Sequence, residues 1–404
     1  MPGTIDFFRV GNADMTLITL SNGYTVLVDC YLLEEKTDLV AVTVDDLCTR
    51  LNKDGNGRPA VDVFLETHPD DDHCHGAKTY LHLRPMSEYA DEPKGDNARK
   101  KIVVREMWSS PLVYRRHSPD HKLTDDAVAI NSEAKRRVEA FRVKKAANDR
   151  AGKTTSLSDM ADCERVRVIG EDYKKDGLDR LAGLDAIRVS LDDTFVIRDR
   201  NGSPLMSVNV LAPLPVVSDA DEAVLTKNNS SVIVRFGFHF YGGATPTWYA
   251  LFGGDAEAEI WRRLYKRHKG DLSNRLGYDL LLAPHHCSWG VLSVEAASAK
   301  AGVDATARMA LEQTDDGYVV ASSKKIINDD DNPPAHRAKV EYIDILDDAM
   351  DHFYCTGEVG SGEEGARLTF GITVGGPQPP SRKAPATSAA SASAALAGVA
   401  RPHG

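Results

Sequence analysis

No apolar stretch in the 404 residues is long enough to cross a bilayer, and the chain carries only six cysteines and four tryptophans. A helical span needs about 20 consecutive apolar residues, so the first absence excludes transport through a pore of the chain's own. Cys30, Cys48, Cys74, Cys163, Cys287 and Cys355 are widely scattered and form no paired framework, which excludes a disulfide-stapled scaffold and predicts a reducing, cytoplasmic setting. The opening residues, Met-Pro-Gly-Thr-Ile-Asp-Phe-Phe, lack the charged and apolar regions of a secretory leader and predict immediate entry into a strand. Hydrophobic residues make up 42% of the chain, ample for a large core. One α/β unit with an insertion and a tail fits that material better than two equal domains.

Along the chain, Asn22-Gly23 between Thr16–Leu20 and Thr25–Val28 predicts a β-hairpin. Val40, Val44, Leu47 and Leu51 recur at helical spacing and predict a helix over Leu39–Asn52. Val61, Val63, Phe64 and Leu65 read as a buried strand, as do Trp248–Phe252, Leu280–Leu282 and Tyr318–Ser322. From about 91 to 180 the chain turns polar, with a strand at Ile102–Trp108 and a charged helix over Ala127–Asn148. That helix carries Lys135, Arg136, Arg137, Arg142, Lys144 and Lys145, the residue types that contact phosphates. The formal net charge is −11, and the stronger expectation for such a helix is a solvated face. A helix over Ala335–Ala349 and a strand over 365–374 follow, and residues 376–404, rich in Pro, Ala and Ser, predict a disordered tail.

The chemistry is concentrated after three strands. Thr67–Gly76 reads Thr-His-Pro-Asp-Asp-Asp-His-Cys-His-Gly, and its spacing sets His68, Asp70 and Asp72 on one side of an extended turn. Imidazole with carboxylate suits zinc, manganese or iron. Leu251–Asp255 reads Leu-Phe-Gly-Gly-Asp, a placement from which Asp255 can reach into a cleft, and Leu280–Gly290 ends its strand with His285 and His286.

These segments, in this order, resemble the metallo-β-lactamase-fold hydrolases, and within them the hydrolase domain of the ComEC DNA-uptake proteins and its soluble relatives. The resemblance covers most of residues 4–375. Val10-Gly11-Asn12-Ala13-Asp14 is similar to the family's Val-Gly-x-Gly-Asp, and Val26–Cys30 to its Leu-Ile-Asp-x-Gly strand. The His-x-His-x-Asp-His motif follows with Asp70 in place of the second histidine. Asn228–Val234, Gly254-Asp255, Pro284-His285-His286 and the late Asn332–His336 segment complete the match. The resemblance implies an αββα metallo-β-lactamase sandwich over 1–375, with a polar helical insertion at about 91–180 and a disordered C-terminal tail.

It further implies two divalent ions per chain, zinc or manganese, with Asp255 shared between them. His68 and Asp70 would hold one ion and Asp72 and His73 the other, completed by one of His285 and His286, with His286 favoured. The remaining histidine, His285, and His336 from the opposite wall would donate to a substrate oxygen, and Asp72 would also orient an attacking hydroxide. A further lone histidine found in many binuclear members has no counterpart here: His117 and His121 lie in a polar stretch and His239 in a strand-like run. Cys74 and Cys287 read as small buried fillers rather than ligands, and His75 as a neighbour of the site or a surface residue.

The expected activity is hydrolysis of a phosphodiester in a nucleic acid or nucleotide, by a metal-bound hydroxide at a one- or two-metal site. Attack on an ester, lactone or amide is the rival within hydrolases. From another class, a degenerate metal-binding interaction module would need no catalytic geometry. No membrane association is expected, and protein partners are not indicated.

Overall fold

A computed structural model describes residues 3–92, 99–116, 122–171, 179–215, 218–295, 301–359 and 367–380. The Asn22-Gly23 turn forms as expected: Gly23 adopts φ +86°, a conformation that costs glycine nothing, and Thr16–Thr19 pairs antiparallel with Thr25–Val28. Every residue of Thr25–Val28 is buried, because the strand is covered on both sides. Val26 and Val28 join one hydrophobic layer and Leu27 another. The Pro59–Leu65 strand does the same, with Val63 and Leu65 on one face and Phe64 on the other. Strands covered on both faces read as continuous apolar runs rather than alternating ones.

Two mixed sheets result. The first runs in the order Arg188–Val189, Arg165–Ile169, Ile102–Ser109, Pro59–Leu65, Thr25–Val28, Thr16–Thr19, Gly3–Phe8, Arg367–Thr373 and Gly376–Gln378. Its strands are parallel from Arg188–Val189 to Thr25–Val28 and antiparallel beyond. The second runs Thr194–Arg198, Pro204–Ala212, Ile233–Phe238, Trp248–Phe252, Leu280–Leu282, Tyr318–Ala321 and Phe353–Cys355, with its last three strands parallel to Trp248–Phe252. Between the sheets lies a layer that includes Ile5, Phe7, Val26, Val63, Val208, Val234, Phe236 and Phe252. Full burial of each such side chain contributes about 1.5–3 kcal/mol, so this layer holds the sheets together. Helices Thr43–Arg50 and Asp125–Arg150 cover the outer face of the first sheet, and Ala258–Arg267, Ala305–Leu311 and His336–Ile345 that of the second. The expected αββα sandwich is present.

Residues 91–180 supply the first sheet with Ile102–Ser109 and Arg165–Ile169, and the long helix packs back on it through Ala127, Ile130 and Phe141. Two of its basic residues face inward. Arg137 is fully buried, pairs with Glu133 at 2.8 Å and donates to the carbonyl oxygens of Val104 and Arg165. Arg136 pairs with Glu133 at 2.7 Å and Glu164 at 2.9 Å.

The helix expected over Leu39–Asn52 is limited to Thr43–Arg50. Val40 instead bridges to Val10 as extended chain, and Asn52-Lys53 pairs with Pro59-Ala60, which pulls both ends out of helical geometry. The sheet also runs past the expected start of the tail, because Gly376 at φ +111° turns the chain back and Gly376–Gln378 pairs with Gly371–Thr373. Residues 381–404 lie outside the described residues. Among the described residues no helix is long and apolar enough to cross a membrane.

Candidate metal centre

Parallel strands of both sheets end at one edge, and the polar segments that follow them meet there. Asp29 follows Thr25–Val28, His68 follows Pro59–Leu65, Asp255 follows Trp248–Phe252, His285 and His286 follow Leu280–Leu282, and Ser322 follows Tyr318–Ala321. Crevices beyond the C-terminal ends of parallel strands are the usual place for ligands in open α/β sheets.

The Gly253-Gly254 pair lets the Asp255 loop reach the centre. A Cβ on Gly253 would stand 2.8 Å from both Pro284 and Trp261, and one on Gly254 3.0 Å from Thr67. Gly254 also adopts φ +50°. On the facing loop His285, His286 and Cys287 have φ of +51°, +52° and +67°. Left-handed backbone costs a non-glycine residue about 1–2 kcal/mol, so three in succession mark a turn enforced by its surroundings.

Four imidazoles point their Nε2 atoms at Asp255. His73 Nε2 lies 3.0 Å and His286 Nε2 3.6 Å from Asp255 Oδ1, while His68 and His285 each place Nε2 3.6 Å from Oδ2. Asp72 Oδ2 is 3.2 Å from His286 Nε2, and Asp70 Oδ2 is 3.9 Å from His68 Nε2. Behind the rings stands a layer of oxygens. Asp29 Oδ2 is 2.8 Å from His73 Nδ1, Thr67 Oγ1 is 3.2 Å from His68 Nδ1, the Ser322 carbonyl is 3.1 Å from His286 Nδ1, and Glu257 Oε1 is 3.5 Å from His285 Nδ1. The first three are hydrogen bonds, which fix the ring tautomer and leave Nε2 as the free lone pair.

His68 Nε2, His73 Nε2 and Asp255 Oδ1 are buried and make no hydrogen bond. Each buried unsatisfied polar atom costs about 1–3 kcal/mol, and coordination of a divalent cation would satisfy all three at once. Asp14, His73, Asp255 and His286 have potential ligand atoms mutually within 4.8 Å, as do His68, Asp72 and His73. The donor set fits a divalent metal of the borderline kind that accepts both imidazole and carboxylate.

The electrostatics demand positive charge at this spot. Burial pushes the Asp255 carboxyl up, but the surrounding histidines, His73 and then His286 foremost, outweigh it and hold it well below the usual range. Asp72 is half-buried, which pushes it up, yet its hydrogen bond from His286 and the charge of His73 bring it down to about 2. Burial disfavours the charged forms of His73 and His286, but Asp255 with Asp29 at one ring and Asp14 at the other raises both well above an ordinary histidine. His68 goes the other way: burial first and the His73 charge second push it down, which keeps it neutral. Protonated imidazoles stand where cations would neutralise the same carboxylates.

Of the residues expected from sequence, His68, Asp72, His73, Asp255, His285 and His286 come together. Asp70 is more peripheral, reaching only the His68 edge of the cluster, with 29% of its side chain exposed. The expected extended turn over His68–Asp72 is instead a loop that enters a single helical turn, Asp71–Cys74, so Asp72 and His73 face the centre from a helix. His336 begins the His336–Ile345 helix, and among the described residues no hydrogen bond or ion pair joins it to the cluster. Its neighbour Ala335 donates to the Cys287 carbonyl at 3.0 Å.

Cys74 and Cys287 are fully buried, and burial pushes both thiols up, which suits fillers and not ligands. His75 lies at the rim, stacked on Tyr31 at 4.8 Å and paired with Asp71. His239 follows the far end of Ile233–Phe238, about 20 Å of strand from the centre, and its Nδ1 donates to the Gly243 carbonyl at 2.9 Å. His117 and His121 lie outside the described residues.

Sequence reasoning assigned no role to Asp14, Asp29, Glu257 or Asn228. Asp29 accepts from Thr67 N and Thr67 Oγ1, both at 2.7 Å, as well as contacting His73, so it ties two strand ends together. Asp14 sits 3.5 Å from His286 Nδ1 and 4.0 Å from His73 Nδ1. Both aspartates stood inside the N-terminal motifs, the available signal for them.

No family model and no curated protein matches the chain. Among solved structures it is similar to an isothiocyanate hydrolase from Delia radicum gut bacteria, at 14% identity and a TM-score of 0.37, over 92% of this chain and 99% of that one. It is also similar to Igni18, a novel metallo hydrolase from the hyperthermophilic archaeon Ignicoccus hospitalis KIN4/I, at 11% identity and a TM-score of 0.36, over 92% of this chain and all of that one (100%). The two-sheet sandwich and its buried His/Asp centre stand on this chain's own strand order, packing and distances.

Proposed function

We propose that the chain is a metal-dependent hydrolase that cleaves phosphodiesters in a nucleic acid or nucleotide, using about two zinc or manganese ions. The observation that supports it most is the convergence of four Nε2 atoms on the two oxygens of one buried carboxylate, Asp255. When bound, the ions supply Lewis acidity and bring the pKa of a coordinated water toward neutrality.

The chain's own residues do the rest. Asp255 turns one oxygen to each side and so defines two adjacent positions. Asp29 and the Ser322 carbonyl hold His73 and His286 in the tautomer that exposes Nε2. Asp72, with 37% of its side chain exposed, is ionised at neutral pH and sits at the open rim. There it accepts a hydrogen bond from an incoming water and orients it. His336, next to the Cys287 turn, is the residue proposed to contact a substrate oxygen. The phosphodiester preference rests on the resemblance of the sequence motifs to the ComEC hydrolase domain.

The test is turnover of bis(p-nitrophenyl) phosphate and of p-nitrophenyl acetate, each with added zinc or manganese, by wild type and Asp72→Asn. Metal-dependent phosphodiester cleavage that falls about 100-fold or more in the folded variant is expected. Ester cleavage alone would transfer the assignment to carbonyl chemistry, and no turnover of either by metal-loaded protein would overturn the hydrolase.

A further inference from the structure

The two sides of Asp255 are unequal unless His285 is counted as a ligand. On the Oδ1 side stand His73, His286 and Asp72. On the Oδ2 side, His68 and the partly exposed Asp70 are joined by His285, whose Nε2 lies at the same 3.6 Å from Oδ2 as that of His68. Without His285 this side would keep His68, Asp255 Oδ2 and the peripheral Asp70, whose oxygen is 3.9 Å from His68 Nε2, against the fuller set on the Oδ1 side.

The local backbone is built to bring this ring in. The left-handed run through His285, His286 and Cys287 sends two consecutive side chains to the same carboxylate from different directions, their ring planes 73° apart and their centroids 6.1 Å apart. The His285 N–H donates to the Gly254 carbonyl at 3.0 Å, which pins the turn to the residue preceding Asp255.

His285 has a looser counterpart of the oxygens hydrogen-bonded to the other three rings. Glu257 Oε1 faces its Nδ1 at 3.5 Å, and that nitrogen is buried with no hydrogen bond of its own. A carboxylate at Nδ1 retains the proton there and leaves the lone pair on Nε2, the atom turned toward Asp255. Asn228 Nδ2, 3.5 Å from Nε2, is a donor facing that same lone pair. A histidine meant to donate to a substrate oxygen through Nε2 would need the opposite tautomer or a full charge.

We infer that His285, oriented by Glu257, is a metal ligand through Nε2, completing the position formed by His68, Asp70 and Asp255 Oδ2, and is not a substrate-oxygen donor. The inference rests on the proposal that the centre holds metal. Its test is proton NMR of the full chain loaded with cobalt(II), in which each ligating imidazole gives one strongly shifted, solvent-exchangeable N–H signal.

Wild type is expected to show four such signals, for His68, His73, His285 and His286. His285→Asn, chosen because asparagine tolerates left-handed backbone, should lose one of them and bind one cobalt ion at least about 100-fold more weakly. Glu257→Gln should keep every signal but speed the exchange of one, with affinity for one ion about 10-fold lower or more. An unchanged signal set and unchanged affinities in His285→Asn would overturn the inference. If that variant does not fold, as judged by circular dichroism, unchanged exchange and affinity in Glu257→Gln would do so. A wild-type chain that takes up no cobalt would instead remove the metal reading itself.

Discussion

Asp29 Oδ2 and His73 Nδ1 lie 2.8 Å apart in the fully buried base of the site, and this contact decides which His73 nitrogen faces Asp255. Asp29→Asn preserves shape and an acceptor for Thr67 N but removes the charge that holds the Nδ1 proton. The expected result is a loss of metal affinity of about 10–100-fold by isothermal titration, with the fold retained. Affinity equal to wild type would show that Asp29 serves only to join Thr67 to its strand.

Gly254 is tested by alanine. Its φ of +50° and the 3.0 Å approach of a Cβ to Thr67 both oppose a side chain. Gly254→Ala should lower stability by about 1–3 kcal/mol in urea denaturation and weaken metal binding, because Asp255 is displaced with it. A neutral effect would mean that the loop has room the distances deny.

Arg137 is a basic residue of the long helix that faces the core and not solvent. With its guanidinium fully buried on Glu133 and on backbone carbonyls of two strands, Arg137→Ala should cost about 3–5 kcal/mol of stability. A loss below about 1 kcal/mol by chemical denaturation would contradict this structural role.

Glu66 carries a pH dependence. Burial raises its carboxyl well above 4.5, only partly offset by the Tyr114 hydroxyl that donates to it, while Asp29 raises it further. The folded state therefore binds this proton more tightly than the unfolded state. Its contribution to stability is fully present below about pH 4.5 and is lost as pH rises through the raised value, by about 1.4 kcal/mol per pH unit within that window. In metal-free protein, Glu66→Gln should remove this term, so the variant gains on wild type as pH rises above about 5 in thermal melts. A constant difference across that range would show that Glu66 folds in ionised.

Much of the centre was legible because its residues follow buried strands directly: His68 after Leu65, Asp255 after Phe252 and two glycines, His285 and His286 after Leu282. Local composition marks such boundaries. Asp29 was not legible as functional, since its role comes from adjacency between Thr25–Val28 and Pro59–Leu65, set by pairing across nearly forty residues of chain, nor was Asp14, whose role comes from its approach to His286 and His73. Helical spacing overstates the helix around Val44, because Val40 and Leu51 keep that spacing by coincidence while Val40 is held extended against Val10. The orientation of His285 depends on three successive left-handed residues that no propensity favours.

Elemental analysis of wild type and Asp255→Asn, dialysed against metal-free buffer after purification, tests the central claim most directly. About two zinc or manganese ions per wild-type chain, falling in the variant, is the expected result. A wild-type chain that holds none, even after metals are added back, would contradict the metal centre and the hydrolase built on it.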